Sequence, residues 1–478
     1  MRCIFFIFLW AGLAWYFPAK AQKIGKKELK RYVQELSSSE FEGRGTGEAG
    51  GEKAALYLEE KFRELNLQPL KGGDFLNPFS LFITYRERCT VKCGEKIYGD
   101  FEEMFCSSRR FTQNEEVERE MIFGGTGDTA LLKEMDLQDK VIAFFVPRLR
   151  STFSLTRFLA KRGAYAVFYA NPDNELQFES MRQTLKNHLL AKRYSLDPEE
   201  KRLVIGTSDI YYAPVPEKET GEFYFRSGEL AEMFGKSVKS LRKTTDIGTI
   251  SAVRIKVLCK RIRKPVQVAN VTAVVRGEPL TDRTLVVTAH YDHLGKQNGI
   301  IYPGADDNAS GVAALLGVAA DVIASGRKPV CNIVFAALVG EEKGLLGSSY
   351  FLDSTAVGLD IFGNVNIDMM GRIDEKLKKK HKQLYVFGDV EDVLFAGILK
   401  ELSGKYALFP QFTPPVGFSS DHETFRVKGI PALFLYSGSH EDLHRPTDTW
   451  QRLDYDRLEF RTDFARELVR RLSGIPEN

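Results

Sequence analysis

The stretch Leu285-Val286-Val287-Thr288-Ala289-His290-Tyr291-Asp292-His293-Leu294-Gly295 decides the fold. Its first five residues form an unbroken apolar or β-branched run, the pattern of a strand buried on both faces of a parallel sheet. An imidazole and a carboxylate, His290 and Asp292, follow at once. Groups just beyond such a strand line the binding crevice of an open α/β sheet. The same arrangement recurs downstream: a strand at 333–338 is followed by Glu341 and Glu342, a strand at 361–367 is closed by Asp368, and a strand at 431–436 precedes His440 and His444. Helical stretches at 310–325, 345–352, 391–402 and 456–473 alternate with these strands and with one at 383–388. The alternation predicts an α/β fold, a mostly parallel sheet covered by helices on both faces.

Five of the seven histidines (His290, His293, His422, His440 and His444) fall in strand-end or loop segments of this region. The segment Pro303-Gly304-Ala305-Asp306-Asp307-Asn308-Ala309-Ser310-Gly311 places two further acids before a helix. Read alone, that turn is equally well a capped helix start. Taken together, four separate strand ends deliver an acid or an imidazole to one edge of one sheet. Two imidazoles and three carboxylates exceed what one tetrahedral zinc with an open position takes, and suit two ions sharing a bridging carboxylate. A further carboxylate is then needed to take a proton from water held between the ions, and the adjacent pair Glu341-Glu342 offers one ligand and one base.

These segments resemble the co-catalytic dizinc aminopeptidases of metallopeptidase family 28. The matching stretches are AHYDHLG (289–295), PGADDNASG (303–311), GEEKGLLGS (340–348), NIDMMG (366–371) and LHRPTDT (443–449), in the order that family uses. The resemblance implies a three-layer α/β/α fold of zinc aminopeptidase type with a mostly parallel mixed sheet. It also implies a ligand set for two zinc ions: His290 and Asp368 on one, Glu342 and His444 on the other, Asp307 bridging. Glu341 becomes the general base, and Asp292 the partner of the second ring nitrogen of His290. A cis peptide is implied at Asp307-Asn308. Asp421 and His422 are candidates for the substrate pocket, and His440 for a site group held by Glu441 or Asp442. The implied activity is release of residues from peptides with a free N-terminus. Rivals are a single-zinc glutaminyl cyclase, a carboxypeptidase of the same fold and a non-catalytic receptor-like module. His290 and Asp306-Asp307 are positions at which cyclases depart from the pattern.

At 478 residues, 43% of them hydrophobic and 27% charged, the chain is too long for one small domain and has the composition of a folded protein. A net charge of +3 does not point to nucleic acid. Arg2, an apolar run over 3–17 and Ala19-Lys20-Ala21 read as a signal peptide, residues 1–21, which predicts export to periplasm or medium. No other segment reads as a membrane span, and the sequence assigns no oligomeric state. Two N-terminal helices (26–37 and 52–65), joined by the Gly-rich 43–51, occupy residues 22–83 and are expected to pack on the catalytic domain, 258–478. Between them, residues 84–257 read as an inserted β-rich domain with a few helices. Several relatives carry a protease-associated domain at that place. After signal removal five cysteines remain, and export would permit a disulfide among Cys89, Cys93 and Cys106.

Overall fold

The computed structural model describes residues 24–476 apart from 109–110, 197–201, 206–209, 214–219, 244–246, 280, 374–383, 407 and 412–418. The predicted signal peptide lies outside the described residues. The chain divides into two compact units, one of residues Met1–Phe79 with Gln267–Asn478 and one of Ser80–Val266.

In the first unit the strands Leu408–Gln411, Leu384–Gly388, Ala432–Tyr436, Asp360–Asp368, Arg283–His290 and Asn332–Leu338 lie side by side in that order. The four from Ala432–Tyr436 to Asn332–Leu338 are mutually parallel. Their carboxyl ends therefore open on one edge. Leu384–Gly388 runs antiparallel to Ala432–Tyr436, and Val271–Val275 runs antiparallel to Asn332–Leu338, so the sheet is mixed. Every residue of Arg283–His290 after Arg283 is buried. This follows from an apolar run covered on both faces, as the absence of alternation predicts.

The helix Gly311–Ala324 packs against the strands Arg283–His290 and Asp360–Asp368 and against the C-terminal helix Tyr455–Leu472. By length and composition Ala305–Ala324 could cross a bilayer, contrary to the reading that no later segment could. Its most apolar window is 89% buried inside the fold, which makes it a core helix. Helix Lys26–Leu36 packs on both of these helices, with Leu29, Tyr32, Val33 and Leu36 buried at helical spacing. The helix expected over 391–402 starts at Ala396, because the preceding residues turn about Asp392, whose Oδ1 accepts from the Leu394 amide.

The second unit holds a five-stranded sheet ordered Met104–Cys106, Gly221–Phe225, Ala166–Ala170, Val141–Phe145 and Met121–Phe123. All neighbours are parallel except Met104–Cys106. Helices Phe153–Lys161 and Glu175–Leu190 give it more α content than a β-rich reading suggests. Stacked and edge-on aromatics fill its core, among them Phe105 against Tyr224 and Phe168 against Phe223 and Phe225.

Candidate metal centre

Each parallel strand end delivers its group to the same edge. His290 is the last residue of Arg283–His290 and Asp368 the last of Asp360–Asp368. Glu341 and Glu342 open the turn Glu341–Lys343 beyond Asn332–Leu338. Asp307 lies in the turn Ala305–Ser310 that precedes the core helix, and the peptide bond to Asn308 is cis. His444 lies in the loop after Ala432–Tyr436, at φ 57°, a left-handed conformation uncommon for a residue with a Cβ.

Asp307 is the hinge of the arrangement. Its Oδ1 is 3.3 Å from His290 Nε2, which is itself 3.3 Å from Asp368 Oδ1. Its Oδ2 is 3.1 Å from His444 Nε2, which is 3.5 Å from Glu342 Oε2. Ligands on a tetrahedral zinc, at about 2.0–2.2 Å from the metal, are separated by about 3.3 Å. The two donor groups share one carboxylate and have that spacing, so the residues present fit two zinc ions. Glu341 Oε2 is 4.0 Å from His290 Nε2, outside that spacing, and its side chain is 12% exposed, reachable from the crevice.

His293 completes the second group, a role that its position in the motif did not reveal. Its ring is fully buried, and Nδ1 donates to Glu342 Oε1 at 2.7 Å while lying 3.5 Å from Asp307 Oδ2. That bond turns the other carboxylate oxygen of Glu342 toward His444. Gly304 makes room for this ring: it adopts φ +55°, and a Cβ there would lie 2.5 Å from His293 Cγ.

The supporting shell corrects several sequence readings. His290 Nδ1 is 3.1 Å from the carbonyl of Asp292 and 3.7 Å from its carboxylate, so the backbone is the nearer acceptor. The carboxylate instead accepts from Thr46 Oγ1 at 2.6 Å and from the Glu341 amide at 3.3 Å, tying the Glu341–Lys343 turn to the His290 strand. His440 is not held by Glu441 or Asp442. Its Nε2 faces Asp306 Oδ2 at 3.3 Å, while Asp442 pairs with Arg372 and Arg452. Asp448 accepts from the amides of Asp306 and Asp307. Asn308 Nδ2 donates to the Ile367 carbonyl and Oδ1 accepts from the Gly311 and Met369 amides, a mixed pattern that an aspartate could not satisfy.

Neither Asp421 nor His422 lines a crevice, because both are fully buried. His422 stacks on Phe434 with centroids 4.8 Å apart, and burial lowers its pKa to about 3, keeping it neutral. Asp421 accepts from Ser348 Oγ at 2.5 Å, and burial raises its pKa to about 7. The neighbouring Ser420 Oγ donates to Asp368 Oδ2 at 2.7 Å. The segment thus fixes the orientation of the Asp368 carboxylate.

Arg44, in the Gly-rich stretch read only as a joint between helices, fastens the site to the N-terminal segment. Its guanidinium is fully buried and donates to the carbonyls of Tyr291 (2.7 Å), Leu36 (2.6 Å), Pro303 (2.7 Å) and Gly304 (2.7 Å). Gly43, at φ +72°, permits the approach, since a Cβ there would lie 2.3 Å from the Tyr302 carbonyl oxygen. Arg44→Ala would leave four carbonyls, three of them buried, without this donor. Its expected cost is about 3–5 kcal/mol of unfolding free energy, measured by denaturant titration of the zinc-free protein. A change below about 1 kcal/mol would contradict this bracing role.

The charges are mutually adjusted. Burial alone would lower the pKa of His290, yet Asp368 and Glu341 raise it well above the usual range. Burial would raise Asp307, but His293, His290 and His444 hold it well below the usual carboxylate value. Hydrogen bonding to Asp307 raises His444 to about 9. Burial leads the causes that push Glu341 well up, with Asp368 and Glu342 adding to it against His290.

Residues 270–469 match the family model for peptidase family M28. This part of the chain belongs to peptidase family M28. The M28 unit is similar to a probable leucine aminopeptidase of Arthroderma otae, 27% identical over 219 residues, which are 44% of this chain and 57% of that protein. It is also similar to a probable zinc metalloprotease of Pyricularia oryzae, 36% identical over 120 residues, 24% of this chain and 23% of that protein. The chain thus spans between about a quarter and somewhat over half the length of these two relatives. Among solved structures, an aminopeptidase from Aneurinibacillus sp. strain AM-1 aligns over 95% of both chains with a TM-score of 0.53 at 20% identity, a likeness of fold.

Proposed function

We propose that the protein is a dizinc aminopeptidase that hydrolyses the first peptide bond of peptides with a free N-terminus. The observation that carries this reading is the placement of Asp307, whose two oxygens each face a separate group of one imidazole and one carboxylate. Membership of the M28 unit in its family, and relatives named leucine aminopeptidase and zinc metalloprotease, support it. His290, Asp368 and Asp307 would hold one zinc, and Glu342, His444 and Asp307 the other. When bound, the two ions would supply Lewis acidity toward the scissile carbonyl and acidify the attacking water.

The remaining steps belong to side chains. Glu341 would take the proton of the attacking water at its carboxylate and return it to the leaving amine. Asp292 and Thr46 keep its turn in place through the Glu341 amide. His293 holds Glu342 in the orientation that faces His444. An apolar leader with the small residues Ala19 and Ala21 supports export, and the place of the 80–266 unit in the chain supports reading it as a protease-associated module.

The test is zinc content per chain of the purified protein together with release of chromophore from a panel of aminoacyl substrates, leucine included. Two zinc ions and chelator-sensitive release are expected. One zinc with no release from free amino termini would overturn the proposal in favour of the cyclase, and release only from free carboxyl termini in favour of the carboxypeptidase.

Zinc uptake should also be coupled to protons. Ligand imidazoles must be neutral, whereas in the zinc-free protein His290 is raised well above the usual range and His444 to about 9. Below both values the protein holds protons that zinc must displace, so apparent affinity rises with pH. The slope is expected to fall by about one decade per pH unit once His444 titrates near its pKa of about 9. Calorimetry in buffers of different ionisation enthalpy counts the released protons; none released at pH 7 would refute the raised imidazoles.

A further inference from the structure

Away from the M28 unit, the core of the 80–266 unit contains three thiols that the proposed hydrolysis does not use. Cys89, Cys106 and Cys259 are all buried, and their sulfurs lie within 4.8 Å of one another. They come from three strands, Leu76–Cys93, Met104–Cys106 and Ile255–Val275. The pairing of the last with Gln113–Arg119 shifts register between Val257 and Cys259, an irregularity of the kind that re-aims a side chain. None of the five described cysteines is disulfide-bonded, and Cys259 rather than Cys93 joins the group. Cys89 and Cys93 lie four residues apart on one extended strand, roughly 13 Å, too far for both to reach Cys106.

A second observation points to charge at this place. Arg86 is buried beside the cluster, donating to the carbonyls of Cys106 (2.9 Å) and Ser108 (3.1 Å) and pairing with Asp100 (3.0 Å). Its Nε is buried without a hydrogen-bond partner. Hydrogen bonds from Cys106 and Cys89, with the charge of Arg86 and against burial, hold Cys259 below the usual thiol range, while burial pushes Cys89 and Cys106 up. The surrounding core is apolar, with Val91, Tyr98, Phe111 and Phe223 in the same cluster.

We propose that Cys89, Cys106 and Cys259 form a trigonal site for a soft monovalent cation of the copper(I) class. Thiolate sulfur selects copper(I), zinc and iron–sulfur clusters, and structural zinc and those clusters each take four protein ligands. Among the described residues the metal-ligating group holds the three cysteines and no imidazole or carboxylate. On binding, three sulfur–metal bonds form and the thiols that are still protonated release their protons to solvent. No electron is transferred.

The test uses the full-length protein, stripped of zinc and fully reduced under anaerobic conditions, titrated with copper(I) against a chromogenic copper(I) chelator. One copper per chain is expected, with a near-ultraviolet thiolate-to-copper absorption band. Cys89→Ser and Cys259→Ser should each weaken retention by at least about tenfold, while Cys93→Ser and Cys331→Ser leave it unchanged. Circular dichroism checks that the variants are folded; if Cys89→Ser does not fold, Cys259→Ala serves in its place. Failure of the wild-type protein to retain copper would overturn the proposal. So would equal retention by all variants, or a disulfide between any two of the three found by mass spectrometry of the protein unfolded without reductant.

Discussion

Glu341→Gln is expected to lower kcat/KM about a thousandfold while leaving the zinc content of the protein unchanged. The amide matches the carboxylate in shape but cannot accept the proton of the attacking water, and a positioned general base contributes about 10²- to 10⁴-fold. Retention of metal follows from geometry. Glu341 Oε2 lies 4.0 Å from His290 Nε2, whereas oxygens of Asp307 and Asp368, the proposed ligands, each lie 3.3 Å from it. The Glu341 amide nitrogen still donates to Asp292 Oδ1, so the turn and the adjacent Glu342 should stay in place. Steady-state kinetics combined with zinc analysis separates the outcomes. Unchanged kcat/KM would remove Glu341 from the base role, and loss of one zinc would make it a ligand.

Asp307→Asn is expected to abolish activity by a different route, through loss of zinc. The bridging geometry needs two equivalent anionic oxygens, one facing His290 at 3.3 Å and one facing His444 at 3.1 Å. An asparagine offers one neutral oxygen, and its NH₂ would point a donor at the other metal position. The loss extends to the zinc-free protein. Asp307 carries the negative charge that His290, His293 and His444 face, and two of these imidazoles are raised by carboxylate neighbours. Removing that charge leaves the buried His290 cation and the half-exposed His444 with one carboxylate fewer, so the zinc-free variant should be less stable than wild type at pH 6 and recover as pH rises and the two imidazoles lose their protons. Elemental analysis showing two zinc ions in Asp307→Asn would refute the bridging assignment.

Of the two residues, Glu341 is legible from its place after a strand, whereas Asp307, in a turn before a helix, is placed by the resemblance alone. Residues that follow parallel strands emerge on one edge whatever the rest of the chain does, because the connections return each strand to the same direction. His290, Asp368 and the Glu341-Glu342 pair could therefore be placed together from short apolar runs alone. Arg44 could not, since its acceptors are backbone carbonyls at Leu36, Tyr291, Pro303 and Gly304 and any arginine in a Gly-rich loop reads as solvated. His422 shows the same limit from the opposite side. Its motif suggests a substrate contact, and packing against Phe434 makes it a neutral core residue.

By itself the sequence determined the α/β class, the sheet edge that carries the chemistry and the family of the 270–469 segment. These depend on local hydrophobic runs and on residues adjacent to them, information that is contiguous along the chain. Only the tertiary structure decided which carboxylate each imidazole faces. It paired His293 with Glu342 and His440 with Asp306, separated by 49 and 134 positions, and gathered Cys89, Cys106 and Cys259 from three strands. Such pairings depend on side-chain direction and on the close packing of distant segments, which no local pattern encodes.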